Sequence, residues 1–127
     1  MNLKIFKITA LMLLCVNLFG CSPKKISYET ITADDAKLIM DMQECIILDV
    51  RTEEEFLEKH IAGAINIDYE QIKDVAPIAL PDKNALILVY CRSGRRSKIA
   101  AEELVKLGYT NIKEFGGIID WHYETEK

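Results

Sequence analysis

Apolar residues in this chain fall into short dense blocks, separated by polar stretches that carry a helical period. The densest block is Leu86-Ile87-Leu88-Val89-Tyr90. An unbroken apolar run of that length is the pattern of a strand covered on both faces, as in a parallel sheet. Cys45 to Val50 repeats it, Ile61 to Ile67 contains a third strand, Asn111 to Phe115 reads as the last, and Ile26 to Tyr28 is a candidate first strand. Between them, Thr32 with Asp35 three residues on caps a helix reaching about Met42, with Ala36, Ile39 and Met40 as its apolar side. Thr52 opens a short charged helix through Glu58. Tyr69, Ile72, Val75 and Ala76 have helical spacing that Pro77 and Pro81 are expected to end, before a turn at Asp82-Lys83-Asn84. Lys98 to Leu107 carries Ala100, Leu104 and Leu107 at helical spacing, with Gly108 as a stop. Gly116-Gly117 reads as a turn, after which Ile118, Ile119 and Trp121 are expected to pack back onto the core. Strands alternating with helices predict an α/β domain with a central parallel sheet and helices on both faces.

The first residues follow another rule. Lys4 and Lys7 precede an apolar run from Ile8 to Phe19, broken only by Thr9 and Asn17. That is the form of a signal peptide, too short for a spanning helix of about 20 apolar residues. It ends in Leu18-Phe19-Gly20-Cys21, which resembles a bacterial lipobox, although Phe19 is larger than usual at its position. The expected division is a signal peptide over 1–20, a lipidated Cys21 with a tether over 21–25, and one domain over 26–127. Such a protein belongs to the cell envelope, anchored to a membrane by lipid on Cys21 or else periplasmic.

Half of the 127 residues are hydrophobic, enough to build a core for one domain. The net charge of −4 argues against general affinity for nucleic acid. The four cysteines, at 15, 21, 45 and 91, fit no metal-ligand spacing.

Against that acidic background the stretch Cys91-Arg92-Ser93-Gly94-Arg95-Arg96-Ser97 stands out. It places a cysteine at the carboxyl end of a buried strand, on a short polar loop that leads into a helix. Ligands bind there in open parallel sheets, and the loop amides and helix N-terminus favour an anion. Lowering a thiol pKa by about two units requires about 2.7 kcal/mol. A helix dipole supplies about 0.3–1 kcal/mol, so amide hydrogen bonds and the charges of Arg92, Arg95 and Arg96 must supply the rest. Cys91 is therefore expected to be a thiolate nucleophile, with Arg92, Ser93, Gly94, Arg95 and Arg96 as an anion cradle. The competing reading is a buried structural cysteine beside a solvated basic turn, which leaves the arginines without a role.

With this loop the chain resembles the single-domain rhodaneses, the thiosulfate sulfurtransferase family. The matching pieces are Leu48-Asp49-Val50-Arg51 with Glu55-Phe56, His60 to Ile67, the Cys91–Arg96 loop, and Gly116-Gly117 followed by Trp121. The resemblance implies that Cys91 takes a sulfane sulfur from a small anionic donor, becomes a persulfide, and passes the sulfur to cyanide or a thiol, without a cofactor. It implies that Asp49 and Arg51 mostly shape the fold around the site.

Other assignments remain to be weighed. A cysteine-dependent phosphatase or arsenate reductase places five residues between its cysteine and arginine. Here four separate Cys91 from Arg96, a smaller cradle, and no general acid is evident. A module that carries a persulfide without turnover is the non-enzyme alternative. The four glutamates of the Thr52 helix are read as an exposed, dipole-compensating face. His60 is read as structural, at the amino-terminal end of the strands and away from Cys91. Cys45, at the start of its strand, is read as a buried apolar thiol too far from Cys91 for a disulfide.

Overall fold

The structure is a computed structural model that describes residues 27–127. The leader, Cys21, the tether and Ile26 lie outside the described residues.

Five strands form a parallel sheet: β1 (Glu29–Thr30), β2 (Ile46–Asp49), β4 (Ile65–Asn66), β5 (Ile87–Cys91) and β6 (Ile112–Gly117), in the order β1-β6-β5-β2-β4. The apolar block at 86–90 becomes the central strand β5, buried along its whole length. Its side chains alternate between two cores. Ile87, Val89 and Cys91 pack with α3 (Ile72–Ala79) and α4 (Arg95–Lys106) through Ile72, Ala76, Ala100 and Leu104. Leu88 and Tyr90 face the other way, toward Ala36 of α1 (Ala33–Met42), Ile61, Phe115 and Trp121. Helices therefore cover both faces.

The caps form as the residue types dictate. Thr32 Oγ1 accepts from Asp35 N at 3.0 Å and Thr32 N donates to Asp35 Oδ2 at 3.4 Å in return, a full capping box. Thr52 caps α2 (Glu53–Glu58) through Glu55 N at 3.2 Å.

Several expectations need correction. The first strand is Glu29–Thr30, because its register against Lys113 and Glu114 places it there. The single strand expected within 61–67 is two: a turn through Ala62-Gly63 separates β3 (His60–Ile61) from β4. β3 pairs antiparallel with β7 (Thr125–Glu126), a C-terminal strand that lacks an apolar block and gave no sequence signal. Pro77 does not end its helix. It sits inside α3, where the bond it cannot donate to Lys73 is lost on an exposed face. Gly116-Gly117 is not a turn but the end of β6. Ile119 faces solvent, while Ile118 and Trp121 pack on the core.

His60 is also misplaced by the sequence reading. Helix α2 has six residues and rises only about 9 Å, too little to carry the chain back to the amino-terminal edge of the sheet. Lys59 therefore lies beside the carboxyl end of β2, where its carbonyl accepts from Arg51 Nη2 at 2.6 Å. His60 is buried, stacked on Phe56, with its ring nitrogens at Phe56 O and Glu126 Oε1. The register that pairs Ile46 with Ile87 and Asp49 with Tyr90 sets Cys45 and Cys91 at opposite ends of the sheet. Both thiols are free, and Cys45 is only half-buried.

Candidate active site

Cys91 is the last residue of β5, and its backbone pairs with Gly117 across a register shift in β6. The loop that follows curls back over the sulfur. Gly94 N donates to Sγ at 3.0 Å, and Ser97 Oγ lies 3.5 Å from it. Burial pushes the Cys91 thiol up, but the Ser97 hydroxyl and the amides of Ser97, Gly94 and Ser93 pull it below the ordinary thiol value. This net lowering is the physical basis for a nucleophile.

Two glycines make the loop possible. Gly94, the N-cap of α4, has φ +111°, a conformation that strains any residue with a side chain. Gly117 lies under the loop: a Cβ there would sit 1.8 Å from Arg92 O and 2.5 Å from Ser93 N. The end of β6 is thus a floor on which the Cys91 loop rests without a side chain between them.

The structure gathers Cys91, Ser93, Gly94 and Ser97 around one point but distributes the arginines. Arg92 and Arg95 are exposed, and Arg95 lies over the Tyr69 ring. Arg96 is held by Glu55, with Nη1–Oε1 at 2.7 Å and Nη2–Oε2 at 3.0 Å. The Arg96 hydrogen bond is the main reason that the Glu55 carboxyl is held down to about 2. Arg96 also feels the negative charge of Cys91. Asp49 and Arg51 form a separate buried pair, with Nη2–Oδ2 at 2.7 Å. It ties the end of β2 to Lys59, and the Asn66 amide bridges the carbonyls of Asp49 and Arg51.

Residues 32–124 match the rhodanese-like domain family. The chain is a rhodanese. It is 42% identical over 73 residues to the thiosulfate sulfurtransferase PspE of Escherichia coli (strain K12), covering 58% of this chain and 70% of that one. It is 30% identical over 101 residues to the thiosulfate sulfurtransferase GlpE of Coxiella burnetii (strain RSA 331 / Henzerling II), covering 77% and 92%. Against the Candida albicans adenylyltransferase and sulfurtransferase UBA4 it is 33% identical but spans only 22% of that protein. A solved structure described as a rhodanese with anions from E. coli superposes with TM-score 0.62 at 38% identity, covering 66% of this chain and 99% of that one.

The roles of three residues of this rhodanese site are not legible in the sequence. Glu55 belongs to the matching pieces, but its pairing with Arg96 has no sequence signal and it reads as part of a charged helix face, although its spacing from Thr52 marks it as a capping residue. Ser97 closes the motif but had no stated role. Glu114 sits in strand β6 at an inward position shared with Ile112. An acidic residue at a buried strand position is itself a signal, since burying a carboxyl is costly unless it is bonded.

Proposed function

We propose that this rhodanese is a sulfurtransferase that moves a sulfane sulfur from thiosulfate, or a similar small anion, through a Cys91 persulfide to cyanide or a thiol. The observation that carries this reading is the Cys91 sulfur, held by loop amides with its thiol value lowered. The names of PspE and GlpE, thiosulfate sulfurtransferases, support the same chemistry.

In the first step the Cys91 thiolate attacks the outer sulfur of thiosulfate. A Cys91–sulfur bond forms, the bond to the sulfite sulfur breaks, and sulfite leaves with its electron pair. In the second step an acceptor attacks the outer sulfur of the persulfide, and the Cys91 thiolate leaves. Arg92 and Arg95, free of carboxylate partners among the described residues, draw in the dianion. The loop amides hold charge on sulfur in both states.

Intact-mass measurement of the chain after exposure to thiosulfate tests the first step. One added sulfur is expected, and none in Cys91→Ser; an unchanged mass for the parent overturns the reading. Turnover with cyanide then separates an enzyme from a carrier. The apolar leader and Cys21 support export and lipid anchoring, so Cys21→Ser is expected to move the protein from the membrane fraction to the soluble one.

A further inference from the structure

The two edges of the five-stranded sheet differ. Edge strand β1 carries Glu29, paired with Lys113 Nζ at 2.6 Å, and a charge on an edge discourages further pairing. Edge strand β4 presents Ile65 and Asn66 instead. Ile67 N donates to Asp49 O at 3.0 Å, and backbone groups alternate in direction along a strand. The N–H and C=O of Asn66 therefore point to the open side. The Asn66 side chain, tied to the carbonyls of Asp49 and Arg51, holds the strand in place.

This edge is the floor of a trough of about 610 Å³, a size within the about 300–1,000 Å³ of ligand sites. Its walls come from opposite faces of the sheet. Helix α2 supplies Phe56 and Leu57, on the side where Ala64 is buried. Helix α3 supplies Val75, on the side where Ile67 is buried, and Ile65 shares that face with Ile67 by alternation. Leu57, Ile65 and Val75 are exposed, and Ile78, one turn beyond Val75, extends the apolar surface. Successive side chains of an added strand point to opposite faces, so they meet the α2 wall and the α3 wall in turn. Charge then narrows the occupant. Glu53 and Asp68 line the trough, no lysine or arginine does, and neither carboxylate has an ion-pair partner among the described residues. Residues 61–69 of a second copy contain no lysine or arginine to meet those carboxylates, so a foreign segment fits better.

We propose that this trough seats an extended segment of a partner protein, added as a strand along β4. The segment has apolar residues in its middle and lysine or arginine flanking them. This docking does not rest on the sulfur-transfer reading.

The test uses the full chain and a capped synthetic peptide: alternating valines and threonines with lysines on each side. Nitrogen-15 amide resonances of Leu57, Ile65, Asn66 and Val75 are expected to shift saturably, and hydrogen exchange at the Asn66 amide to slow at least tenfold. Three control peptides are each expected to bind at least tenfold more weakly. One has glutamate for lysine, one has glycine and serine in the centre, and one is methylated on its central amide nitrogens. Val75→Glu, at an exposed helix position, is expected to weaken binding at least tenfold. Should it misfold, Leu57→Ser serves instead, with the same expectation. Shifts absent from these four residues or centred elsewhere, a control that binds as well as the parent peptide, or a folded variant with unchanged affinity overturns the proposal. Sedimentation showing the free chain associating with itself through the same residues gives the trough to a second copy, and overturns it too.

Discussion

Arg96 and Glu55 join the helix that carries the Cys91 loop to the helix after β2, through two parallel hydrogen bonds of 2.7 and 3.0 Å. Paired in this way, a guanidinium is fixed in orientation as well as in charge. The pair binds two segments forty-one positions apart in the chain and holds Arg96 where it acts on the sulfur.

The pair makes stability depend on pH. The Glu55 carboxyl drops from 4.5 to about 2 on folding, chiefly through the Arg96 hydrogen bond. Its stabilisation is complete above the unfolded value and is lost as pH falls toward the folded one. Between about pH 4.5 and 2 the chain is therefore expected to lose stability more steeply than Glu55→Gln. At neutral pH the substitution is expected to cost on the order of 1 kcal/mol, since the pair is partly exposed. Urea unfolding across this range, parent against variant, measures both effects.

The two described cysteines should titrate apart. Cys91 is lowered by its hydrogen bonds against burial, whereas Cys45 is raised by burial. The thiolate absorbance lost in Cys91→Ser is expected to have a midpoint below the ordinary value of a free thiol, and that lost in Cys45→Ser a midpoint above it.

Gly117→Ala should damage the site through the backbone. The added methyl would meet Arg92 O at 1.8 Å, so either the Cys91 loop or the end of β6 must move. A loss of about 1–3 kcal/mol is expected from the clash, with a rise in the Cys91 midpoint as the loop amides leave the sulfur. At Gly108 a Cβ would meet nothing within 4 Å, and only its φ of +96° resists substitution. Gly108→Ala is therefore expected to cost stability without moving that midpoint.

The contrast between what could and could not be read from sequence follows the range of the interactions. The strand at 86–90, the capped helices at Thr32 and Thr52, and the cysteine loop depend on neighbours in the chain, so their residue types announce them. Pro77 misled because a short exposed helix can do without one hydrogen bond. β7 was illegible because a two-residue strand on a small surface sheet needs no apolar pattern. Glu55 and Glu114 derive their roles from Arg96 and Ser97, forty-one and seventeen positions away, and no local period encodes such partnerships.

Cys91 itself is only 1% exposed. A sulfur so little exposed is expected to react slowly with a bulky electrophile and to favour a slim anion that presents a single atom end-on. Under the proposed transfer, an atom attached to Cys91 would stand about 2 Å farther out than the sulfur the protein encodes. A recipient would then touch cargo, with the polypeptide acting on it as a handle from below.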